Sequence, residues 1–460
     1  MRGALSAFRC PLSAFGEERR PNPPPFPTLD RAPKRRGKGA GQGKRSSLGG
    51  QRIADSGKRS ALRVLYFSRD YTTHDFRFLN SLSASGLEVH FLRLERGPRQ
   101  LEDRALPAGV RLVEWAGGRG PFRLRDLPRL ALDLRRVVGQ LRPDVIHAGP
   151  IHSAGLVAAL AGVQPLVAMS WGSDMLVDAR SSRWMGWLTR YVLRASRALV
   201  GDCLAVQQAA AEFGFPPERV TLFPWGVDLK VFGGTLSAFR PEKKALPLRP
   251  PEGESPPKAD SGKRVAESLS RLGWEDCFVA LSLRSWEPIY GVDVIVRGVA
   301  RAMEREPRLR LVLLGGGSLA GQIQGLLAQA GLHERVHLPG RVSQADLPGY
   351  YQFADLYLSA SHSDGSSVSL LEALASGLPA LVSDIPGNRE WIEPGKQGWL
   401  FPDGDAEALA EGLLRAAAHP ELLAEMSVAA RQLAEARANW DANFQKLLDA
   451  YQKVLVSGEW

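Results

Sequence analysis

Cysteine is scarce in this chain, with three in 460 residues: Cys10, Cys203 and Cys277. They are far apart, odd in number and without CxxC spacing, so a disulfide framework and a zinc site are not expected, and a reducing compartment fits. Long apolar runs are missing as well. None reaches the roughly 20 residues that a membrane-spanning helix needs. The basic start has no continuous apolar stretch behind it, so a secretory signal is not expected. Net charge is missing from most of the chain. The whole carries 59 Lys and Arg against 49 Asp and Glu, a net of +10, but residues 1–60 hold 14 of the former and 4 of the latter. The remaining 400 residues therefore have 45 of each sign and no net charge. By composition the body offers no face for nucleic acid, and no specific nucleic-acid partner is expected.

What is present is enough apolar material, 44% of residues, for real cores. At roughly 150 residues per domain, the length suggests two or three of them. Residues 1–61 read as a disordered basic tail, rich in Pro, Gly, Lys and Ser. Such a segment buries too little apolar surface to offset its ordering entropy. A second stretch of this kind spans 234–264 and shares words with the first. Leu5-Ser6-Ala7-Phe8-Arg9 returns as Leu236-Ser237-Ala238-Phe239-Arg240, and Ala54–Arg59 returns as Ala259–Arg264. Their unequal spacing argues against a solenoid and for one low-complexity element present twice.

The rest alternates short apolar runs with helical patterns. Strands are expected at 63–68, 87–94, 144–147, 165–170, 197–201 and 220–223, and after the second low-complexity stretch at 277–284, 309–314, 335–338, 355–359 and 379–383. Helices fill the intervals. Such alternation means parallel sheets of βαβ units. The expected fold class is α/β, with two doubly wound, Rossmann-like domains at 62–233 and 265–438. They face a cleft, and ligands bind beyond the carboxyl ends of the strands.

The densest local signal is Ser361–Pro379, SHSDGSSVSLLEALASGLP. A strand ends, a polar Gly-containing loop follows, and a helix opens near Ser367–Ser369. Loop amides and a helix N-terminus make an anion site suited to a diphosphate. Asp364 lies in that loop. Glu372 lies in the helix, and its carboxylate suits vicinal hydroxyls, each oxygen accepting hydrogen bonds.

This segment resembles the nucleotide-sugar glycosyltransferases of the GT-B fold, specifically the retaining family 4, or group 1, proteins. That family carries an acid, seven residues and a glutamate, followed by Ala-x-x-x-Gly-x-Pro; here they are Asp364, Glu372, Ala373, Gly377 and Pro379. Residues 310–361 are similar to the family's second domain. Pro224–Asp228 with Phe232 resembles its interdomain turn, and Pro143–His147 and Ser170–Asp174 its first-domain loops.

The resemblance implies roles. Glu372 would hold the ribose hydroxyls and Asp364 would contact the donor sugar. The backbone of Gly365, Ser366, Ser367 and Val368 would bind the diphosphate, and Gly340, Arg341 and Val342 would lie near the base. Arg284 stands where the family has the first of two cations. Tyr290 replaces the lysine that is the second, and a phenol brings no positive charge. Gly316, in the Gly315–Gly317 run, either approaches the diphosphate or only makes a turn. On the acceptor side the candidates are His74, His147 and Asp174. Neither a metal nor a cofactor is expected, the nucleoside-diphosphate sugar being a substrate. The acceptor would be a glycan or glycolipid hydroxyl. The setting would be cytoplasmic, with peripheral contact at the inner membrane face as a family habit, although the neutral body shows no clear patch for it. Residues 439–460 would cross back to the first domain. Two other readings stay open: a nucleotide-sugar epimerase of the same fold, and a non-catalytic nucleotide-sugar binder.

Overall fold

Two parallel sheets organise the chain in the computed structural model, which describes residues 61–97, 102–233, 265 and 268–456. The basic tail and the stretch at 234–264, with their shared words, lie outside the described residues. The first sheet has seven strands: β1 (Arg63–Ser68), β2 (Glu88–Arg93), β3 (Val110–Leu112), β4 (Val145–Gly149), β5 (Leu166–Met169), β6 (Ala198–Gly201) and β7 (Val220–Leu222). Their order is β3-β2-β1-β4-β5-β6-β7. The second has six: β8 (Phe278–Ser282), β9 (Leu309–Leu314), β10 (Val336–Gly340), β11 (Leu356–Ser359), β12 (Ala380–Ser383) and β13 (Gly398–Phe401). Their order is β10-β9-β8-β11-β12-β13.

The same winding thus occurs twice. In each sheet the chain reverses direction of travel between the first strand and the fourth, at β1/β4 and at β8/β11. That reversal opens a crevice beyond the strands' carboxyl ends, which is where doubly wound sheets bind ligands. Central strands read as unbroken apolar runs because helices cover both faces. In β1 every residue from Val64 to Phe67 is at most 1% exposed.

Two strands had no clear signature. β3 is three residues long, mostly exposed, and sits at the sheet edge. β13 begins with glycine and covers only four residues. The helix expected near 153–162 is divided into a π-turn at Ile151–Gly155 and an α-helix at Leu156–Ala161.

After the helix Pro420–Arg437, the helix Trp440–Val456 packs against first-sheet residues. Asn443 donates to the Pro224 carbonyl at 3.1 Å, and the Trp440 indole donates to Ser81 at 2.8 Å. Phe78, Phe223, Trp225 and Phe444 surround the Trp440 ring or one another at 5.1–6.3 Å. Deeper, Tyr451 hydroxyl and His147 Nδ1 lie 2.5 Å apart, both groups buried. Tyr451→Phe leaves that nitrogen without a partner. It should cost about 1–3 kcal/mol, the usual penalty of an orphaned buried polar group, read as a lower melting temperature.

Candidate active site

Every group in the site comes from a strand's carboxyl end or the helix after it. In the second domain, Arg284 follows β8 and the Asp364 loop follows β11, on either side of the crevice. Arg284 spreads its fork across the loop: Nη1 donates to Ser367 Oγ at 2.8 Å and Ser369 Oγ at 3.1 Å, and Nη2 to Asp364 Oδ2 at 2.6 Å. Its guanidinium lies 4.2 Å from the centre of the Tyr290 ring. Burial works against the charge, but Asp364, with Tyr290, Tyr357 and Tyr351 nearby, outweighs it and holds the guanidinium further above its ordinary value. Its Nε is buried without a partner.

Ser367 sits at the N-cap of the helix Val368–Ala375, yet its hydroxyl makes no cap bond and meets Arg284 instead. The first-turn amides are thus uncapped by that side chain, and a helix N-terminus carries a positive partial charge. Gly291, after Tyr290, has φ +56°, and a Cβ there would stand 2.2 Å from the Ala360 carbonyl oxygen. A side chain would push apart the two loops that carry Arg284 and Asp364. Gly315 N bonds to the Gly340 carbonyl at 2.8 Å, so the glycine run and the Gly340–Val342 segment meet; space is open around Gly316, and Arg341 is exposed.

Glu372, one turn into the helix, is 5% exposed. Tyr351 hydroxyl donates to its Oε2 at 2.9 Å. Burial raises its carboxyl from 4.5 to about 7, against the opposing pull of Tyr351 and Arg77.

Arg77 belongs to the first domain. It lies on the helix Thr73–Ala84, donates to the Gly226 carbonyl and stacks 4.2 Å over the Trp440 ring. Burial pulls it down to about 10, while Glu372 and Asp228 pull the other way. His74, three residues earlier on the same helix face, rests between the rings of Trp171 and Trp225 at 5.5 and 5.2 Å. Burial, then Arg77 and Arg284, lower its pKa to about 3, so the ring is neutral.

A second first-domain group reaches the loop directly. Asp202, just past β6, is 4% exposed. Its Oδ2 accepts from Ser366 N at 2.6 Å, and its main-chain oxygen accepts from Ser366 Oγ at 2.7 Å. Oδ1 is buried without a partner. Gly365 makes this approach feasible: a Cβ there would stand 2.2 Å from Asp202 Oδ2. Burial raises the Asp202 carboxyl to about 6, assisted by Asp364 and opposed by the Ser366 amide.

The sequence-derived candidates thus separate. Arg284, Tyr290, Asp364, Gly365, Ser366, Ser367, Val368 and Glu372 converge, and His74 faces them across the cleft. Two acceptor-side expectations are corrected. His147 is 0% exposed, packed against Tyr66, Phe78 and Tyr451, because its strand position points into the core and not past the strand end. Asp174 is consumed by its own loop: Oδ1 accepts from Ser170 Oγ, Trp171 N and Met175 N, and Oδ2 from Ile151 N. Arg77 and Asp202 are further members of the site: Arg77 shares a helix face with His74, and Asp202 follows a strand's carboxyl end, but their partners are distant in sequence and no local motif marks them.

Comparison with known proteins agrees with this fold. Residues 268–433 match the family model described as "Glycosyl transferases group 1", and residues 72–231 match "Glycosyltransferase Family 4". A GDP-mannose-dependent alpha-(1-6)-phosphatidylinositol monomannoside mannosyltransferase of Mycolicibacterium smegmatis is 23% identical over 374 residues, 77% of this chain and 87% of that protein. A D-inositol 3-phosphate glycosyltransferase of Thermobispora bispora is 28% identical over 271 residues, and the matched part spans 56% of its length. Among solved structures, HepE of Anabaena in complex with UDP has a TM-score of 0.65 at 18% identity, covering 85% of this chain and 100% of that one. Sucrose-phosphate synthase of Thermosynechococcus elongatus has a TM-score of 0.69 at 17% identity, covering 86% and 100%. With a family 4 match over the first sheet, a group 1 match over the second and the shared double winding, the chain belongs to the group 1 and family 4 glycosyltransferases of the GT-B fold.

Proposed function

We propose that this glycosyltransferase moves a hexosyl unit from a nucleoside-diphosphate sugar to a hydroxyl of a glycan or glycolipid, with the anomeric configuration retained. The observation that carries the reading is the Arg284 fork laid over Asp364, Ser367 and Ser369 beside an uncapped helix N-terminus. In the reaction the anomeric carbon exchanges its bond to a diphosphate oxygen for a bond to the acceptor oxygen. Nucleoside diphosphate and the acceptor's proton are released. Arg284 and the amides of Gly365–Val368 meet the charge that grows on the leaving group, where preorganised donors have the largest effect. Glu372 receives the ribose hydroxyls, and Asp364 turns from Arg284 to the sugar. No cofactor and no metal are part of this proposal. His74 is the acceptor-side group at the cleft, acting as a neutral ring. GDP-mannose in one relative's name and the UDP of the structural neighbour support a nucleotide-sugar donor, and the phosphatidylinositol mannoside in that relative's name supports a lipid-borne acceptor.

A thermal-shift screen of nucleotide sugars, then mass spectrometry and anomeric NMR of the products with an acceptor panel, tests the reading. Interconversion of the donor sugar without transfer would make the protein an epimerase. Binding with neither transfer nor hydrolysis would make it a non-catalytic binder. Asp202 adds a further expectation. Its carboxylate sits on the Ser366 amide of the proposed diphosphate loop, so an incoming anion competes with it. Asp202→Asn should therefore bind nucleoside diphosphate several-fold more tightly by calorimetry, roughly the worth of one charge-assisted hydrogen bond. Weaker binding would mean that Asp202 supports the donor.

A further inference from the structure

The helix Arg183–Ala195, which crosses from β5 to β6, has two unlike faces. Leu188, Val192 and Leu193 enter the first-domain core. The exposed positions of the helix are Arg183, Trp184, Trp187, Arg190 and Arg194, and no other residue type appears there. Trp184 is 60% exposed and Trp187 52%. Their rings stack at 5.0 Å and 13°, and Trp187 stacks on Tyr191 at 5.8 Å and 13°, forming a ladder along the helix. Tyr191 leans on the neighbouring helix through the Ala159 carbonyl, next to Leu160, which is 39% exposed. From Val177 to Arg197 the chain has five arginines, at 180, 183, 190, 194 and 197, against one acid, Asp178. Arg180 is paired with Glu212; Arg190 lies 5.1 Å over the Phe213 ring. The body is neutral as a whole, but its charge is unevenly placed.

Two half-exposed indoles lie outside the first-domain core, and their stacking keeps them ordered at the surface. Indole rings favour the headgroup level of a bilayer, where one edge is apolar and the other wet. Arginines flanking them suit lipid phosphates, and an interfacial helix of this kind lies flat on the membrane. A second copy of the chain fits worse. Two-fold pairing would set this arginine face against itself. We propose that the outer face of the helix Arg183–Ala195 docks on an anionic lipid bilayer, with Trp184 and Trp187 in the headgroup layer and Arg183, Arg190 and Arg194 against the phosphates. A crossover helix runs antiparallel to its strands, so its first turn lies toward the sheet's carboxyl end, where the site loops are. Docking there brings the cleft to a membrane-borne acceptor. The geometry stands on this helix alone; its purpose rests on the lipid-acceptor reading above.

Co-sedimentation of the full chain with vesicles tests it, comparing pure phosphatidylcholine with vesicles containing about 30% phosphatidylglycerol. The protein should sediment with the anionic vesicles at about 0.1 M salt and be released as salt shortens the screening length. Trp184→Ser with Trp187→Ser should lower the apparent partition at least roughly tenfold, and Arg183→Gln with Arg190→Gln should remove the preference for anionic lipid. Both double variants should melt like the parent and keep the parent's rate on a short water-soluble acceptor. No sedimentation of the parent, or equal sedimentation of the indole variant, would overturn the proposal. So would a parent dimer that the indole variant dissociates in analytical ultracentrifugation, since the face would then join copies of the chain. Loss of transfer on every acceptor with vesicle binding intact would instead count against the functional reading.

Discussion

Arg284→Ala should lower kcat about 10²–10³-fold, the range seen when one donor to a developing oxyanion is removed. The side chain is the cation laid over the Asp364–Ser369 loop, and Tyr290, stacked on it, brings no charge of its own. Three loop oxygens depend on its two terminal nitrogens, so Arg284→Lys keeps the charge but not the fork and should recover only part of the rate. The substitution also leaves Asp364 without its 2.6 Å partner. Melting should fall modestly, since the carboxylate side chain is 20% exposed and water can reach it. A steady-state comparison separates the roles: a rise in KM with unchanged kcat would mean that Arg284 binds donor without stabilising the transition state.

Glu372→Gln should do two opposite things. Donor affinity should fall roughly tenfold to a hundredfold, because hydroxyls donate to a carboxylate more strongly than to an amide oxygen. Stability above neutral pH should rise. The folded-state pKa of about 7 exceeds the ordinary 4.5, so between those values the folded chain holds a proton that the unfolded chain has lost. The stabilisation is complete below pH 4.5 and is lost as pH rises through 7. At 1.36 kcal/mol per unit, the charged, buried Glu372 destabilises the alkaline protein by about 3 kcal/mol. Asp75 and Asp202, both raised to about 6 by burial, act in the same direction. Thermal melts of parent and Glu372→Gln at pH 5 and pH 8 check this; equal melting temperatures at pH 8 would remove the claim. Ribose hydroxyls favour the charged form, so donor affinity in the parent should strengthen as pH rises through 7, with a proton released on binding. Calorimetry in buffers of different ionisation enthalpy reads that proton.

The double winding was legible because buried parallel strands are written as short apolar runs, as in Val64–Phe67, between helical patterns. The second-domain half of the candidate site was legible for a related reason: one loop and one helix start carry it, so Asp364, Ser367 and Glu372 are close in sequence as well as in space. The first-domain half is assembled from separate strand ends, which no single stretch of sequence displays. His147 lies within β4, where pointing past the sheet or into the core turns on a single step of the two-residue alternation; Asp174 lies in a short helix after β5, where its carboxylate is taken up by nearby hydrogen-bond donors that no sequence pattern marks. Arg77 and Asp202 face groups well over a hundred residues away along the chain, and no local pattern announces such partners. Uneven placement of charge was invisible to a net count: the arginines of 180–197 are balanced by acids elsewhere.

The chain crosses between the two sheets twice, and the crossings touch. Val227 pairs with Asn439 as a bridge, Val227 N bonds to the Ala438 carbonyl at 2.8 Å, and Trp440 N returns to the Val227 carbonyl. Because the helix Trp440–Val456 completes the first domain, the second is in effect a long insertion whose two ends meet at one point. Insertions with adjacent ends are tolerant of exchange. The second domain of a relative could be spliced in at these two junctions, leaving the arginine–tryptophan helix and its host sheet untouched. Such an exchange should alter the Arg284–Asp364 half of the site and leave the exposed indole face as it is.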